Sequence, residues 1–145
     1  MKKDDMKAVA QTFRKHEKAL YEGWMASQLA SASFRPDLMK EAQLREQSHH
    51  FFNVLLAALD RGFSGDIAAE TAAEVRDFLN DLSRSRAHAG YTPTETATFV
   101  FSLKQPAFEV LRKEYAGDQQ NLADTLWNAT VLLDKLGLYT TEVYR

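Results

Sequence analysis

The sequence predicts an all-helical protein, and three observations support this fold class. No segment alternates apolar and polar residues as a half-buried strand would, whereas apolar residues recur with the spacing of helix faces. Glycine and proline are scarce, at 6 and 3 residues, and they stand where helix ends are needed. The chain has 145 residues, of which 45% are hydrophobic. A domain of this size can bury a complete core.

The first half of the chain divides into three helical blocks. The first runs from about Asp5 to Ala30, and Gly23 predicts a kink or a short break within it. The second begins at Pro36, because proline is favoured at the first helical position, and it ends at Gly62. The third follows Ser64 and runs to Ala89.

The second half begins with the clearest helix start in the chain. Gly90 is typical of a left-handed helix end, and Thr92 with Glu95 forms a capping box that opens the fourth helix. Pro106 lies inside this helix and should kink or interrupt it, since proline lacks an amide donor. Gly117 ends the block.

The fifth helix starts at Asp118, and its inward residues are predicted to be Leu122, Leu126, Trp127, Thr130, Leu133 and Leu136. We predict a domain over residues 1–137, with a boundary at Gly137, and the start of a C-terminal signalling linker over residues 138–145. The linker is expected because Tyr139, Val143 and Tyr144 continue a helix-like spacing towards the last residue.

The overall composition limits the partners and the compartment of this protein. The net charge is −2, which offers no basic field for nucleic acid or an anionic membrane. There is no cysteine, which excludes disulfides and thiolate chemistry. The first seven residues lack the apolar centre of a signal peptide, and no apolar run approaches the roughly 20 residues of a membrane span. We therefore expect a cytoplasmic protein that binds neither nucleic acid nor membrane.

Sequence motifs of known catalytic sites are sparse, and this scarcity predicts a protein that is not an enzyme. The sequence has no phosphate loop, nucleophile elbow or paired-histidine zinc motif. His49 and His50 are adjacent, but neighbouring side chains on a helix point about 100° apart. Glu46 shares a face with His50, and this pair falls short of the ligands that a metal site requires. No metal site is predicted, and His16 is interpreted as a core histidine.

The segment from Arg84 to Gln105 resembles the central motif of the N-terminal domains of RsbR-type proteins, the co-antagonists of the RsbT kinase in stressosomes. The matching residues are Gly90-Tyr-Thr-Pro, Glu95-Thr-Ala and Ser102-Leu-Lys. The resemblance implies a globin-like fold without haem, a homodimer, and a helical linker to a C-terminal STAS domain. That domain, absent from this chain, would contact the other stressosome proteins. No cofactor is expected.

The same segment resembles the part of bacterial globins in which a haem-ligating histidine stands four residues before the glycine. Here that position is Arg86, and an arginine stays protonated and cannot act as a neutral ligand to iron. At 100° per residue, Arg86 falls on the apolar stripe of its helix, whereas His88 falls off it. Arg86 is therefore a candidate pocket residue for an anion or carboxylate, or else it extends to the surface or pairs with a nearby acid.

These observations favour a regulatory sensor domain that dimerises and passes a signal through its C-terminal helix. The Pro106 and Gly137 positions are candidate hinges, and the fifth helix is a candidate dimer interface. The alternative is a haem-based gas sensor in which His88, His49 or His50 binds the iron. An enzyme with an unrecognised helical active site ranks last, because no nucleophile or base can be named for it.

Overall fold

The computed structural model describes residues 6–143, and this part of the chain is helical with no strand, which confirms the predicted all-α class. The α-helices are α1 (Lys7–Lys15), α2 (Glu17–Ala30), α3 (Glu41–Asp60), α4 (Ala73–Ala89), α5 (Pro93–Phe101), α6 (Lys104–Glu114) and α7 (Gln119–Glu142), and a 3₁₀ turn at Glu70–Ala72 precedes α4. The predicted helix start at Asp5 and the predicted linker residues Tyr144 and Arg145 lie outside the described residues.

The first predicted helix is interrupted at His16 rather than at Gly23. His16 has a non-helical backbone (φ −112°, ψ 26°) that ends α1 and precedes α2. Its imidazole is half-buried and lies 3.0 Å from Oε1 of Glu114, so it is not a core residue. Gly23 lies inside α2, where a Cβ atom would be 3.0 Å from Cβ of Pro106. The glycine allows α2 to approach α6 closely, which explains why a residue with low helix propensity stands there.

The second predicted helix starts later than expected, because Pro36 lies in a turn and α3 begins at Glu41. The amides of Leu38 and Met39 both donate to the carbonyl of Arg35, at 2.8 and 2.9 Å. The Arg35 side chain also pairs with Asp37 at 2.8 Å. These bonds pair the backbone amides within a compact turn. Proline therefore begins a turn here and not a helix.

The third predicted helix also begins later, at Ala73 instead of just after Ser64. The Asp66 carboxylate accepts a bond from the Ala68 amide at 3.0 Å, a local side-chain bond that competes with helix formation. Arg76 then donates to the carbonyl of Ile67 at 2.6 Å. A cation on α4 thus holds the preceding loop in a non-helical path.

The predicted helix ends in the second half are confirmed. Gly90 has φ 105° at the end of α4, and Thr92 and Glu95 form both bonds of the capping box. Pro106 lies in the first turn of α6, after the break between α5 and α6, where its missing amide costs no helical hydrogen bond. The Asp118 side chain accepts from the Asn121 amide at 3.3 Å and caps α7.

Helix α7 differs from the prediction in the side chain of Trp127, which was expected inside and is 69% exposed. Trp127 stands six residues before the buried Leu133, which rotates it about 240° around the helix. The buried face of α7 consists of Thr125, Ala129, Leu132, Leu133, Leu136, Gly137 and Thr140. The helix continues through Gly137, whose missing side chain lets α7 lie directly against the ring of Phe101 on α5.

An aromatic cluster joins α2, α3 and α5 in the core. Trp24 is fully buried, and its ring centroid lies 5.1 Å from that of Phe99 and 5.7 Å from that of Phe51. The Trp24 indole N–H donates to the Phe99 carbonyl at 3.1 Å and to the Ser102 hydroxyl at 3.0 Å. Phe99 forms one wall of the site described next. Among residues 6–143, no helix is both long and apolar enough to cross a membrane.

Candidate functional site at Arg86

The backbone at the end of α4 brings Arg86 and Tyr91 together. The Tyr91 amide donates to the Arg86 carbonyl at 3.0 Å, and the Gly90 amide donates to the Ala87 carbonyl at 3.2 Å. These are the paired bonds of a Schellman motif, which requires a left-handed residue such as Gly90. The chain therefore folds back after α4, and the Tyr91 ring lies against the Arg86 side chain.

The Arg86 guanidinium is buried between two aromatic rings. Arg86 is 3% exposed, and its Cζ lies 4.7 Å from the ring centroid of Tyr91 and 4.8 Å from that of Phe99. Its Nη2 donates to Oε1 of Gln47 on α3 at 3.0 Å. Desolvated cation–π contacts of this kind stabilise a charge by roughly 2 kcal/mol. They explain in part how the fold accepts a buried cation.

The charge of Arg86 is nevertheless incompletely compensated. Within residues 6–143, no carboxylate lies within 4.0 Å of its nitrogens. Its Nε is buried and has no hydrogen-bond partner. Burial lowers the pKa of Arg86 to about 10, so the group stays protonated at neutral pH. Arg86 thus neither extends to the surface nor pairs with an acid of the described chain.

Arg86 lines a small cavity between α2, α4 and α5. The cavity volume is about 10 Å³, which is about the space that one water molecule requires. The lining includes the buried residues Arg86, Leu44 and Phe99 and the half-buried residues Ser31, Ser33 and Phe34. The remaining lining residues are Gln28, Tyr91, Glu95, Thr98 and Ser102. The cavity therefore combines hydroxyl groups, aromatic surface and one guanidinium.

The carboxylate in the cavity wall, Glu95, is occupied by other groups. Its oxygens accept from the Thr92 amide at 2.8 Å and from Nη1 of Arg35 at 3.2 Å. The bond from the Thr92 amide, assisted by Arg35, lowers the pKa of Glu95. Glu95 is therefore ionised at neutral pH, and its charge is balanced by Arg35 and not by Arg86.

The histidines named as haem candidates lie away from this cavity, because His88, His49 and His50 are all exposed. His49 packs edge-on against Tyr21, and His50 against Phe78, with centroid distances of 5.9 and 5.0 Å. None of the three lines the cavity at Arg86. Pockets that hold a ligand of drug size enclose about 300–1,000 Å³. The residues around Arg86 therefore do not fit a haem.

Other donor groups do not gather into a metal centre in the described part of the chain, where no three histidines, aspartates or glutamates lie close enough to hold an ion. The sequence analysis missed Gln47 and Tyr91 as neighbours of Arg86. Gln47 comes from a different helix, so no local pattern reveals it. Tyr91 could have been found, because residues that follow a Schellman glycine often pack back onto the helix end.

Comparisons with known proteins support the family resemblance of the segment that contains Arg86. Searches of curated proteins and of solved structures gave no match. A family match, in contrast, covers residues 18–145, which include α2 from its second residue, α3 to α7, and every residue of the site. This chain therefore belongs to the family of RsbT co-antagonist protein rsbRD N-terminal domains.

Proposed function

We propose that this domain is a non-enzymatic sensor of a stressosome protein, which forms a homodimer and relays a signal through α7 to a C-terminal output domain. A STAS domain is the expected output, and the expected partners are other stressosome proteins bound through that domain. The proposal includes a cytoplasmic location and a globin-like helix arrangement. The family match supports the regulatory role, and the exposed face of α7 is the observation that carries the dimer.

That face of α7 exposes apolar side chains along one side of the helix. Trp127 and Leu138 are 69% and 57% exposed, and Val131 lies between them and is half-buried. Positions four and eleven residues after Trp127 fall within about 40° of it on a helix. Tryptophan is enriched in the buried centres of protein interfaces. A two-fold axis beside α7 would pack this face against the same face of a second protomer.

The relay is supported by bonds between α4 and the end of α7. The Ser83 hydroxyl donates to the Thr140 carbonyl at 3.2 Å, and the Tyr139 hydroxyl donates to Oδ1 of Asn80 at 2.8 Å. Ser83 and Thr140 are fully buried. Helix α4 also carries Arg86, so this one helix contacts both the cavity and the C-terminal end of α7. A change at the cavity that shifts α4 would therefore reach α7.

The absence of a haem is part of this proposal, and absorption spectroscopy tests it. We expect the protein, after incubation with haemin and desalting, to show no stoichiometric Soret band. A Soret band that disappears in one of the variants His88→Ala, His49→Ala or His50→Ala would favour the haem sensor instead.

The decisive test is the variant Trp127→Glu, measured by size-exclusion chromatography with light scattering. A charge at the centre of an apolar interface should convert the dimer into a monomer and halve the mass. The matched control is Ala19→Glu, because Ala19 is an exposed residue on α2 and gains the same charge. The control should remain a dimer. A wild-type monomer, or a Trp127→Glu dimer of unchanged mass, would refute the proposed interface.

A further inference from the structure

We propose that the groove between α3 and α4 is a docking surface for a partner protein, and that its occupant is an amphipathic helix whose apolar stripe is flanked by lysine or arginine side chains. The groove has a volume of about 440 Å³, and its lining residues lie on α3 and α4. The α7 face proposed for the dimer takes no part in it. The inference therefore adds a second interaction surface to the proposed function.

The shape of the groove suits a helix. Its lining on α4 runs from Glu74 to Ser85, a length over which a helix rises about 16 Å. The opposite wall is formed by Gln47, His50 and Val54 of α3, which fall within about 60° of one another on a helix. A groove between two helices, open along about three turns, is the type of surface that receives a further helix.

The lining contains a strip of apolar side chains. Val54 and Phe78 are half-buried, and Leu82 is buried. The Phe78 ring packs against the rings of His50 and Phe51 on α3, with centroid distances of 5.0 and 5.5 Å. These contacts hold Phe78 at the junction of the two helices. An apolar stripe on a partner helix would cover the strip and remove it from water.

A row of carboxylates runs beside the apolar strip. At 100° per residue, Glu74, Asp77 and Asp81 fall within about 60° of one another on α4, and Phe78 and Leu82 follow next around the helix. Among the described residues, the lining includes no lysine or arginine. The groove is therefore negatively charged along one edge, and charge complementarity selects a basic partner.

These carboxylates are accessible to a partner. Within residues 6–143, Asp77 has no ion pair, and the Arg61 guanidinium lies as far as 3.9 Å from Glu74. Arg84 pairs with Asp81 at 3.1 Å, but both side chains are more than half exposed. Exposed pairs of this kind contribute little to stability. A cation of the partner can therefore take the place of Arg84.

The groove also touches the site described above. Gln47 lines the groove, and its Oε1 accepts from Nη2 of Arg86 at 3.0 Å. A docked helix would thus contact the residue that holds the buried guanidinium, on the helix pair proposed to carry the signal. The inference rests on the proposed function only for this biological meaning.

The test is a ¹H–¹⁵N NMR titration of the complete chain with a synthetic peptide of about 14 residues, or roughly four helical turns. The peptide consists of leucine, lysine and alanine, with the leucines on one helix face. We expect saturable shifts of the α3 and α4 amides that border the groove, and an affinity that falls as salt screens the charges. A peptide of the same composition in scrambled order, without an apolar face, should bind about tenfold more weakly or less.

Charge variants at one exposed position of the groove provide the matched comparison. Ser85 is exposed and lines the groove. Ser85→Lys should lower the peptide affinity by about tenfold or more, because like charges repel, and Ser85→Glu should raise it by about threefold. Ala19→Lys adds the same positive charge at an exposed position of α2, outside the lining. Its affinity should stay within about twofold of the wild type, because salt screens distant charges.

Any of the following results would overturn the inference: no saturable shift along α3 and α4, equal affinity for the scrambled peptide, or equal weakening by Ser85→Lys and Ala19→Lys. A lower mass of Ser85→Lys than of the wild type in light scattering would also overturn it, because a second copy would then be the occupant. The NMR signals report on the groove of each protomer whether or not it dimerises. A failed titration would therefore leave the dimer proposal standing, and a monomeric wild type would leave the groove proposal standing.

Discussion

The variant Gly137→Ala tests the close packing of α7 against α5. A Cβ atom at this position would lie 2.6 Å from Cζ and 2.7 Å from Cδ1 of Phe101, far inside van der Waals contact. Overpacking of this kind costs about 1–3 kcal/mol, whereas alanine in a helix gains about 0.8–1.0 kcal/mol over glycine. The net expectation is a loss of about 0–2 kcal/mol in the free energy of unfolding.

Urea unfolding followed by circular dichroism measures this loss, and the melting temperature should fall by about 2–4 °C per kcal/mol. The control is a double-mutant cycle with Phe101→Ala. Without the ring, Gly137→Ala should no longer destabilise and should gain up to about 1 kcal/mol from helix propensity. A single Gly137→Ala variant that is more stable than the wild type would show that the Phe101 ring is free to move away. The close packing of the two helices would then not be rigid.

Two further predictions concern the surroundings of the cavity. Trp24→Phe should lower the free energy of unfolding by about 1–3 kcal/mol, measured by urea unfolding, because it removes the indole bonds to Phe99 and Ser102; an unchanged midpoint would contradict those bonds. The pKa of Glu95 is lowered below 4.5 by the Thr92 amide and Arg35, so its contribution to stability is complete at neutral pH and is lost as the pH falls below that value. Glu95→Gln should therefore flatten the acid limb of a stability–pH curve, and an identical slope in both proteins would refute this assignment.

Local chemistry in the sequence determined the fold class and several helix ends. Gly90, the Thr92–Glu95 capping box and Asp118 were predicted correctly because each acts on backbone groups within a few residues. Pro106 was also predicted to interrupt its helix, since proline removes an amide donor wherever it stands. Helical spacing placed Arg86 on the apolar stripe of its helix, but it left open whether the side chain points inward or extends to the surface.

Tertiary structure determined features of the fold and of the site that helical spacing could not predict. The start of α4 differs from the prediction because the Arg76 side chain bonds to the loop carbonyl of Ile67. The start of α3 differs because the chain forms a turn at Arg35. Trp127 was predicted inside because it is apolar, yet the helices that pack on α7 cover a different face. The site at Arg86 needed Gln47 from α3 and Phe99 from α5. A residue's own neighbours determine where a helix ends, but a cavity depends on which helices meet, and that is decided by the packing of the whole chain.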